Sequence, residues 1–363
     1  MPPARTGVAD YAAALLAALR KIGTVELAPA RADVRLYHVG NNVIHRGIYA
    51  RALAEPGVVT LHDAMLQHLF LGTLGEQAYV AEFVYNYGEW SRHLAVDLWH
   101  GRAGSGLRPE YYRYPMLKRL AQRSLAIVVH NPEAARLVHA HAPAARVIEI
   151  PFLFTPPELP SPAEAVRIRQ QLCSAPFLFG LFGYLRESKR VAPALRAFRA
   201  VRAERPDTAF LLAGEFLSRD LAGAIDPLSR QPGVIRTGYL PEREFWRMAG
   251  ATDACVNLRH PSAGETSAIS IAFMGIGKPV LVTGGGETGA FPPDACLRVD
   301  SGPAEEEMLA GYMLSLRHLS GFGAGIGRRA ADHIARYHSV ERVAELYWNL
   351  LCAYCRPAVS SVA

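Results

Sequence analysis

His62 and Asp63 follow the apolar run Val58-Val59-Thr60-Leu61. An imidazole and a carboxylate are therefore expected at the carboxyl end of a strand, the edge at which open α/β sheets hold their ligands. Gly40, Asn41, Asn42 and His45 follow the apolar stretch 34–39 in the same way, and His130 and Asn131 follow 125–129. Each has a structural reading beside the functional one. Asn41, Asn42 and Asn131 suit helix caps as well as ligand contacts, and a single histidine is more often a packed residue than a ligand contact. Near the start, Thr6-Gly7-Val8-Ala9-Asp10-Tyr11 places a glycine just ahead of a predicted amphipathic helix, where backbone N–H groups and the helix dipole can meet an anion.

Further along, Gly180 and Gly183 flank Phe182 at the end of a predicted strand, and Arg186, Lys189 and Arg190 follow within one loop. A glycine turn followed by ammonium and guanidinium groups suits a diphosphate; a solvated basic loop is the alternative. Pro261-Ser262-Ala263-Gly264-Glu265-Thr266-Ser267 follows another strand and opens an apolar helix that ends near Gly277-Lys278-Pro279. Thr266 or Ser267 can cap that helix, its first N–H groups suit a phosphate, and Glu265 can accept hydrogen bonds from sugar hydroxyls. A purely structural cap is the competing reading. Gly284-Gly285-Gly286-Glu287-Thr288-Gly289 matches the dinucleotide pattern G-x-G-x-x-G and raises an NAD-dependent oxidoreductase. Its context argues otherwise, because Phe291-Pro292-Pro293 arrives where the helix should run. The sequence holds no P-loop, no His-Glu-x-x-His and no Asp-x-Asp.

The elements that must position these residues alternate between short apolar runs and helix-period segments, the pattern of an α/β protein with parallel sheets covered on both faces. One series has predicted strands at 34–39, 57–61 and 125–129, with helices at 11–22, 42–54 and 132–141. A second has strands at 177–182, 208–213, 233–236, 254–258 and 279–283, with helices at 191–201, 242–249 and 267–276. Between them, 151–162 carries five prolines, which disfavour helix and central strand alike. The expected organisation is an N-terminal Rossmann-like domain over 1–155, a second over 156–339, and a C-terminal helix over 340–363 packing back on the first domain. Helices are also expected at 305–319 and 327–337. A doubly wound half normally opens with a strand, yet six residues precede Gly7. The first strand is thus expected to be missing, and a start at an internal Met is preferred to a sheet truly one strand short.

Composition narrows the class. The chain has 363 residues, half of them hydrophobic and a fifth charged, enough for two cores of a soluble protein. Its apolar runs fall short of the roughly 20 residues of a membrane span. The first seven residues lack the apolar segment of a secretion signal, and five scattered cysteines suit a reducing compartment, so a cytoplasmic location is expected. Cys352 and Cys355 form a lone Cys-x-x-Cys that reads as two helical positions rather than a metal site, and no metal is expected. A net charge of +6 is compatible with an anionic ligand or acidic lipid head groups. The stretch holding Arg108, Arg113, Lys118, Arg119 and Arg123 among Tyr111, Tyr112 and Tyr114 could stack a nucleic acid, but no nucleic-acid fold accompanies it. It reads instead as a solvated helix face, with peripheral contact at the inner membrane face as a minor alternative.

Taken together, these motifs resemble the family-four retaining glycosyltransferases. The resemblance spans nearly the whole chain and rests on Thr6 through Tyr11, Gly40-Asn41-Asn42 with His45, Leu61-His62-Asp63, Gly183 through Lys189-Arg190, and Gly264-Glu265-Thr266-Ser267 with Gly277-Lys278-Pro279. It implies the GT-B fold, two facing Rossmann-like domains, and transfer of a hexose from a nucleotide diphosphate sugar to a saccharide, a lipid-linked saccharide or a metabolite, as in polysaccharide biosynthesis. The nucleotide sugar is then a substrate, and no cofactor is expected. The implied catalytic set is His62, Lys189 and Glu265. Gly7, Gly183, Tyr184, Arg186, Arg190, Thr266 and Ser267 join the latter two on the donor side, and Asp10, Asn41, Asn42 and Asp63 stand on the acceptor side. Two departures matter: Tyr184 stands where many members carry a phosphate-binding Arg, and the family's Glu-x7-Glu pair falls on Gly264 and Ala272. A catalytically weakened sugar-nucleotide or glycan-binding protein is therefore the second reading, ahead of the oxidoreductase.

Overall fold

Four-residue runs such as Val58–Leu61 are too short for a helix and too apolar for a surface, and they become strands buried on both faces. The structure, a computed structural model, describes residues 6–106 and 108–355. In chain order its strands are β1 (Leu36–Val39), β2 (Val58–Leu61), β3 (Ala126–Val129), β4 (Val147–Glu149), β5 (Phe177–Phe182), β6 (Thr208–Ala213), β7 (Val234–Arg236), β8 (Ala254–Asn257), β9 (Val280–Thr283) and β10 (Leu297–Val299). They form two all-parallel sheets, one of order β1-β2-β3-β4 and one of order β10-β9-β8-β5-β6-β7. Two compact units follow the sheets. Unit 1 comprises Met1–Leu153, Ala263–Thr266 and Tyr337–Ala363, and unit 2 comprises Phe154–Ser262 and Ser267–Arg336. Among the described residues, no strand precedes the first helix, α1 (Gly7–Leu19).

In unit 1, α1 is followed by α2 (Arg46–Ala54), α3 (Gln67–Thr73), α4 (Glu76–Tyr87), α5 (Arg92–His100), α6 (Lys118–Arg123) and α7 (Pro132–His141). Side chains alternate across the sheet. Val59 and Leu61 of β2 join a core with Tyr79 and Phe83 of α4. Val58 of β2 faces the opposite way, onto Tyr11 and Leu15 of α1 and onto Val343 and Tyr347 of the last helix.

Unit 2 contains α8 (Pro162–Leu172), α9 (Val191–Glu204), α10 (Arg219–Ser229), α11 (Glu242–Ala251), α12 (Ala268–Gly275), α13 (Glu305–His318) and α14 (Phe322–Tyr337), whose last residue counts with unit 1. Its central strands β5, β6 and β8 are almost wholly buried. The last helix, α15 (Val340–Cys352), returns to unit 1.

The structure departs from the sequence expectation in definable ways. α1 starts at Gly7 rather than residue 11, because the Thr6 hydroxyl accepts from the Ala9 N–H at 3.2 Å and Asp10 sits in the first turn. Gly7 therefore lies inside the first turn rather than ahead of it. The expected helix at 42–54 is a 3-10 turn (Val43–His45) followed by α2. Five helices have no counterpart in the sequence reading: α3, α4, α5, α8 and α10; α6 falls in the basic stretch read as a helix face. The same is true of β4 and β10, strands of three residues each.

Backbone packing in unit 2 gives a test in which two effects oppose each other. A Cβ on Gly327 of α14 would lie 2.0 Å from the Gly277 carbonyl oxygen, whereas one on exposed Gly311 of α13 meets nothing within 4 Å. Alanine is preferred to glycine in a helix by about 1 kcal/mol, so Gly311→Ala should raise stability. At Gly327 the clash, costing about 1–3 kcal/mol, should win and lower the melting temperature. Equal shifts in the two variants would refute this packing.

Candidate functional site

The carboxyl edge of the unit 1 sheet gathers three histidines. Thr60 pairs with His38 on one side and Val128 on the other. Two residues beyond the latter pair, His62 and His130 sit side by side, with ring centroids 5.4 Å apart. All three imidazoles lie on the face closed by α1. The Tyr11 ring packs against His62 and His130, each at 5.0 Å, and against His38 at 5.8 Å. His38 Nδ1 and His62 Nε2 are 3.0 Å apart and share a hydrogen bond. His130 Nδ1 lies 2.8 Å from the Ile150 carbonyl, which can only accept, so His130 carries its proton on Nδ1. Its Nε2 is buried with no partner among the described residues.

Burial sets the charge of this group. It holds the His38 pKa down at about 3, with His130 next adding to the shift, and it holds His130 at about 4. His62 is pushed well below its ordinary value by burial, then by His38 and His130. Near neutral pH the site presents neutral imidazoles, each with one N–H and one bare nitrogen.

The acceptor-side residues are tied into their own loops. Asp63 accepts from the Asn41 N–H at 2.7 Å. The Asn41 side chain accepts from the Leu69 N–H at 3.0 Å and meets His68 Nδ1 at 3.0 Å. Asn42 caps the following 3-10 turn by accepting from the Ile44 N–H at 3.1 Å. Asp10 is exposed on α1. Asn42 is thus the cap of its turn, whereas Asn41 is held against α3 instead of capping the turn that follows it.

Ala263–Thr266 belongs to unit 1, where Asn131 donates to the Gly264 carbonyl at 3.0 Å and to the Thr266 hydroxyl at 2.9 Å. A Cβ on Gly264, whose φ is +73°, would lie 2.7 Å from that of Ala64, so only glycine fits this approach. Glu265 accepts from the Ala263 N–H at 2.8 Å.

Unit 2 assembles the basic set at the carboxyl end of β5. Gly183, with φ +87°, turns the chain, and a Cβ there would lie 3.2 Å from Lys189 Nζ. Lys189 is 4% exposed and donates to the Phe182 carbonyl. Tyr184 is half-buried and Arg186 is exposed. Arg190 adopts φ +55° and pairs with Glu305, Nε lying 3.0 Å from both carboxylate oxygens. Of the two capping candidates before α12, Ser267 serves: its hydroxyl accepts from the Ser270 N–H at 3.3 Å and is itself held by Asn257 at 2.7 Å. Ile269, in the first turn of α12, packs beside Gly183. The turn of β5, Lys189 and the start of α12 are therefore neighbours. The 284–289 glycine run opens no α-helix: a 3-10 turn (Gly286–Thr288) leads instead to β10.

Two participants had little sequence signal. His38 lies inside a strand, and its role shows only once Thr60 is seen paired with it. Asn257 reads as the end of a buried strand. Among the described residues no group of three or more His, Cys, Asp or Glu is placed to hold a metal, and no helix is long and apolar enough to cross a membrane.

No family model and no curated protein matches the sequence. Among solved structures, the chain is similar to HepE of Anabaena in complex with UDP-glucose, with a TM-score of 0.62 and 15% identity over 88% of this chain and 78% of that one. It is similar to sucrose-phosphate synthase of Thermosynechococcus elongatus, with a TM-score of 0.59 and 18% identity over 88% and 74%. It is also similar to the pneumococcal O-GlcNAc transferase GtfA in complex with UDP and GlcNAc, with a TM-score of 0.58 and 11% identity over 85% and 55%. The chain has the GT-B fold of these glycosyltransferases.

The buried histidines set a pH dependence of stability. Their folded pKa values lie below the unfolded value near 6.5, so above that pH neither state binds the proton and stability is flat. As pH falls below about 6.5, the unfolded state protonates first, and each such histidine costs up to about 1.4 kcal/mol per pH unit. Urea unfolding from pH 6.5 to 5 should show this decline, and His130→Phe should reduce its slope by one histidine's share. An unchanged slope would contradict the neutral assignment.

Proposed function

We propose that the protein is a glycosyltransferase that moves a hexose from a nucleotide diphosphate sugar to a hydroxyl acceptor with retention at the anomeric carbon. One observation carries the reading: buried Lys189, packed against the Gly183 turn at the carboxyl end of β5. A nearly buried ammonium beside a tight glycine turn suits a diphosphate, whose oxygens gain charge as the bond to the sugar breaks. Exposed Arg186 and the Ser267-capped start of α12 add to that stabilisation. The bond from the anomeric carbon to the diphosphate oxygen breaks, and one to the acceptor oxygen forms. His62 is assigned to the transferred sugar, Glu265 to its hydroxyls, and the unit 1 loops around Asn41 and Asp63 to a saccharide or lipid-linked acceptor. Cationic side chains carry the phosphate charge, so turnover is proposed to be independent of divalent metal.

HepE in complex with UDP-glucose makes that donor the first to test. Lys189→Ala should lower UDP release by about a hundredfold or more, in the range found when a preorganised charge-stabilising group is removed, and the α-anomer should appear first in the product by NMR. Undiminished turnover in the variant would refute the assignment of Lys189. Activity lost to a chelator and restored by a divalent ion would overturn metal independence.

Ala272 lies in α12 where the resemblance places a ribose-binding Glu, and this favours the sugar-nucleotide-binding reading as the second. Nucleoside diphosphates that raise the melting temperature, with no turnover of UDP-, ADP- or GDP-sugars, would establish it.

A further inference from the structure

We infer that unit 2 holds a second anion site, at the amino edge of its sheet, which takes a small phosphate-bearing ligand between Lys278 and Arg317. This site lies apart from the Lys189 turn and does not depend on the donor reading.

Phe177, Asp253 and Pro279, at the amino ends of β5, β8 and β9, border a cavity of about 320 Å³. The Gly183 turn and Lys189 lie past the other end of β5, whose six residues span roughly 20 Å at about 3.3 Å each. The volume falls at the small end of the range for ligand sites, about 300–1,000 Å³.

Two cations that line this cavity are short of partners. Lys278 is half-buried, and burial pushes its pKa down. Among the described residues its Nζ has one polar contact, the neutral Gly250 carbonyl at 3.1 Å. A desolvated ammonium ordinarily sits against a carboxylate. The carboxylate in the cavity wall, Asp253, is taken by Arg169 at 2.7 Å and by the Leu178 N–H at 2.7 Å. Arg317 donates from Nη2 to Asp207, which it shares with Arg205, and its Nε is buried with no partner. This set therefore brings four cations (Lys278, Arg317, Arg169, Arg205) against two carboxylates (Asp253, Asp207), an excess of two positive charges.

Gly323 and Ala324, in the first turn of α14, also line the cavity, and their N–H groups have no acceptor among the described residues. Unpaired N–H groups are rare inside proteins. A phosphate would answer each shortage: it brings a charge of about −1.5 to −2 near neutral pH and several strong acceptor oxygens. Those oxygens suit an ammonium, a guanidinium and the start of a helix alike. A carboxylate carries one charge on two oxygens and meets the excess only in part.

Inorganic phosphate is the probe, added to the full chain with ionic strength held constant by chloride. The melting temperature should rise saturably with phosphate, as for a ligand that binds the folded state alone, and respond far less to acetate. The rise should persist in Lys189→Ala, in which the proposed donor cation is gone. Lys278→Met keeps the apolar stem, and in it the half-saturating phosphate concentration should increase about tenfold or more, the scale of a hydrogen bond to a charged group. Each variant is compared with itself at zero phosphate, so a lower starting stability does not enter.

A second measurement uses the wild-type fold. With glycine labelled with nitrogen-15, the Gly323 amide signal, identified by its absence from Gly323→Ala, should move with phosphate over the same concentrations. The absence of a saturable rise, a rise lost in Lys189→Ala or unchanged in Lys278→Met, or a Gly323 signal indifferent to phosphate would overturn the site.

Discussion

Every strand pair in both sheets is parallel, and the rest of the molecule follows from that constraint. A parallel strand cannot return through a tight turn, so each connection crosses over, and every one but that from β9 to β10 carries at least one α-helix that helps bury a sheet. All strands of a sheet then end at one edge. That edge is where backbone groups leave the ladder and polar side chains can replace apolar ones at little cost to the core. In unit 1 it holds His62, Asp63, His130 and Asn131; in unit 2 it holds Gly183, Lys189 and the approach to α12. The candidate chemistry sits there because the sheets leave no other place where so many strands offer side chains together.

The same constraint explains the burial of so many polar groups in unit 1. A sheet covered on both faces leaves Thr60 with no water, and its hydroxyl meets Tyr347 of α15 at 3.0 Å. Tyr347 in turn accepts from Tyr11 of α1 at 3.2 Å. A net hydrogen bond is worth about 1 kcal/mol, whereas an orphaned buried group costs about 1–3. The chain of hydroxyls is thus best understood as avoided loss, and it ties helices from the two ends of the described chain to one strand. The histidines beside it stay neutral because burial penalises the imidazolium, and for His38 and His62 the neighbouring imidazoles add to the penalty.

What was legible in the sequence follows from how local each determinant is. Buried strands such as β5, β6 and β9 are continuous apolar runs, and caps such as Asn131 and Ser267 act over three residues, so both show in a single sequence. β4 and β10 are edge strands of three residues, defined by their neighbours rather than by their own pattern. α4 had a usable signal, with Tyr79, Val80 and Phe83 at helical spacing between Gly75 and Gly88, as did α8, where Ser161 and Glu164 form a capping box ahead of a modest apolar stripe. Of the candidate site, the glycine turn, Lys189 and the strand-end histidine were visible as motifs. The partnership of His38 with His62 was not, since it depends on two strands lying side by side 24 residues apart in sequence.

The placement of charge around Lys189 separates residues that the motif alone groups together. Arg190 belongs to the same basic loop as Arg186 and Lys189, and with Tyr184 in place of the arginine common in the resembled family, either arginine could have supplied the missing cation. Glu305 decides between them. Its carboxylate is 2% exposed, and a carboxylate so buried needs a charged partner, because removing one member of a buried pair leaves an uncompensated charge at a cost of about 3–5 kcal/mol. The forked contact from Arg190 meets that need and anchors the start of α13 to the loop before α9. A diphosphate that recruited Arg190 would have to leave Glu305 uncompensated, whereas Arg186 projects from the same loop with its guanidinium exposed. Under the proposed function the charge for an anionic ligand falls to Lys189 and Arg186, while Arg190 is paired with Glu305.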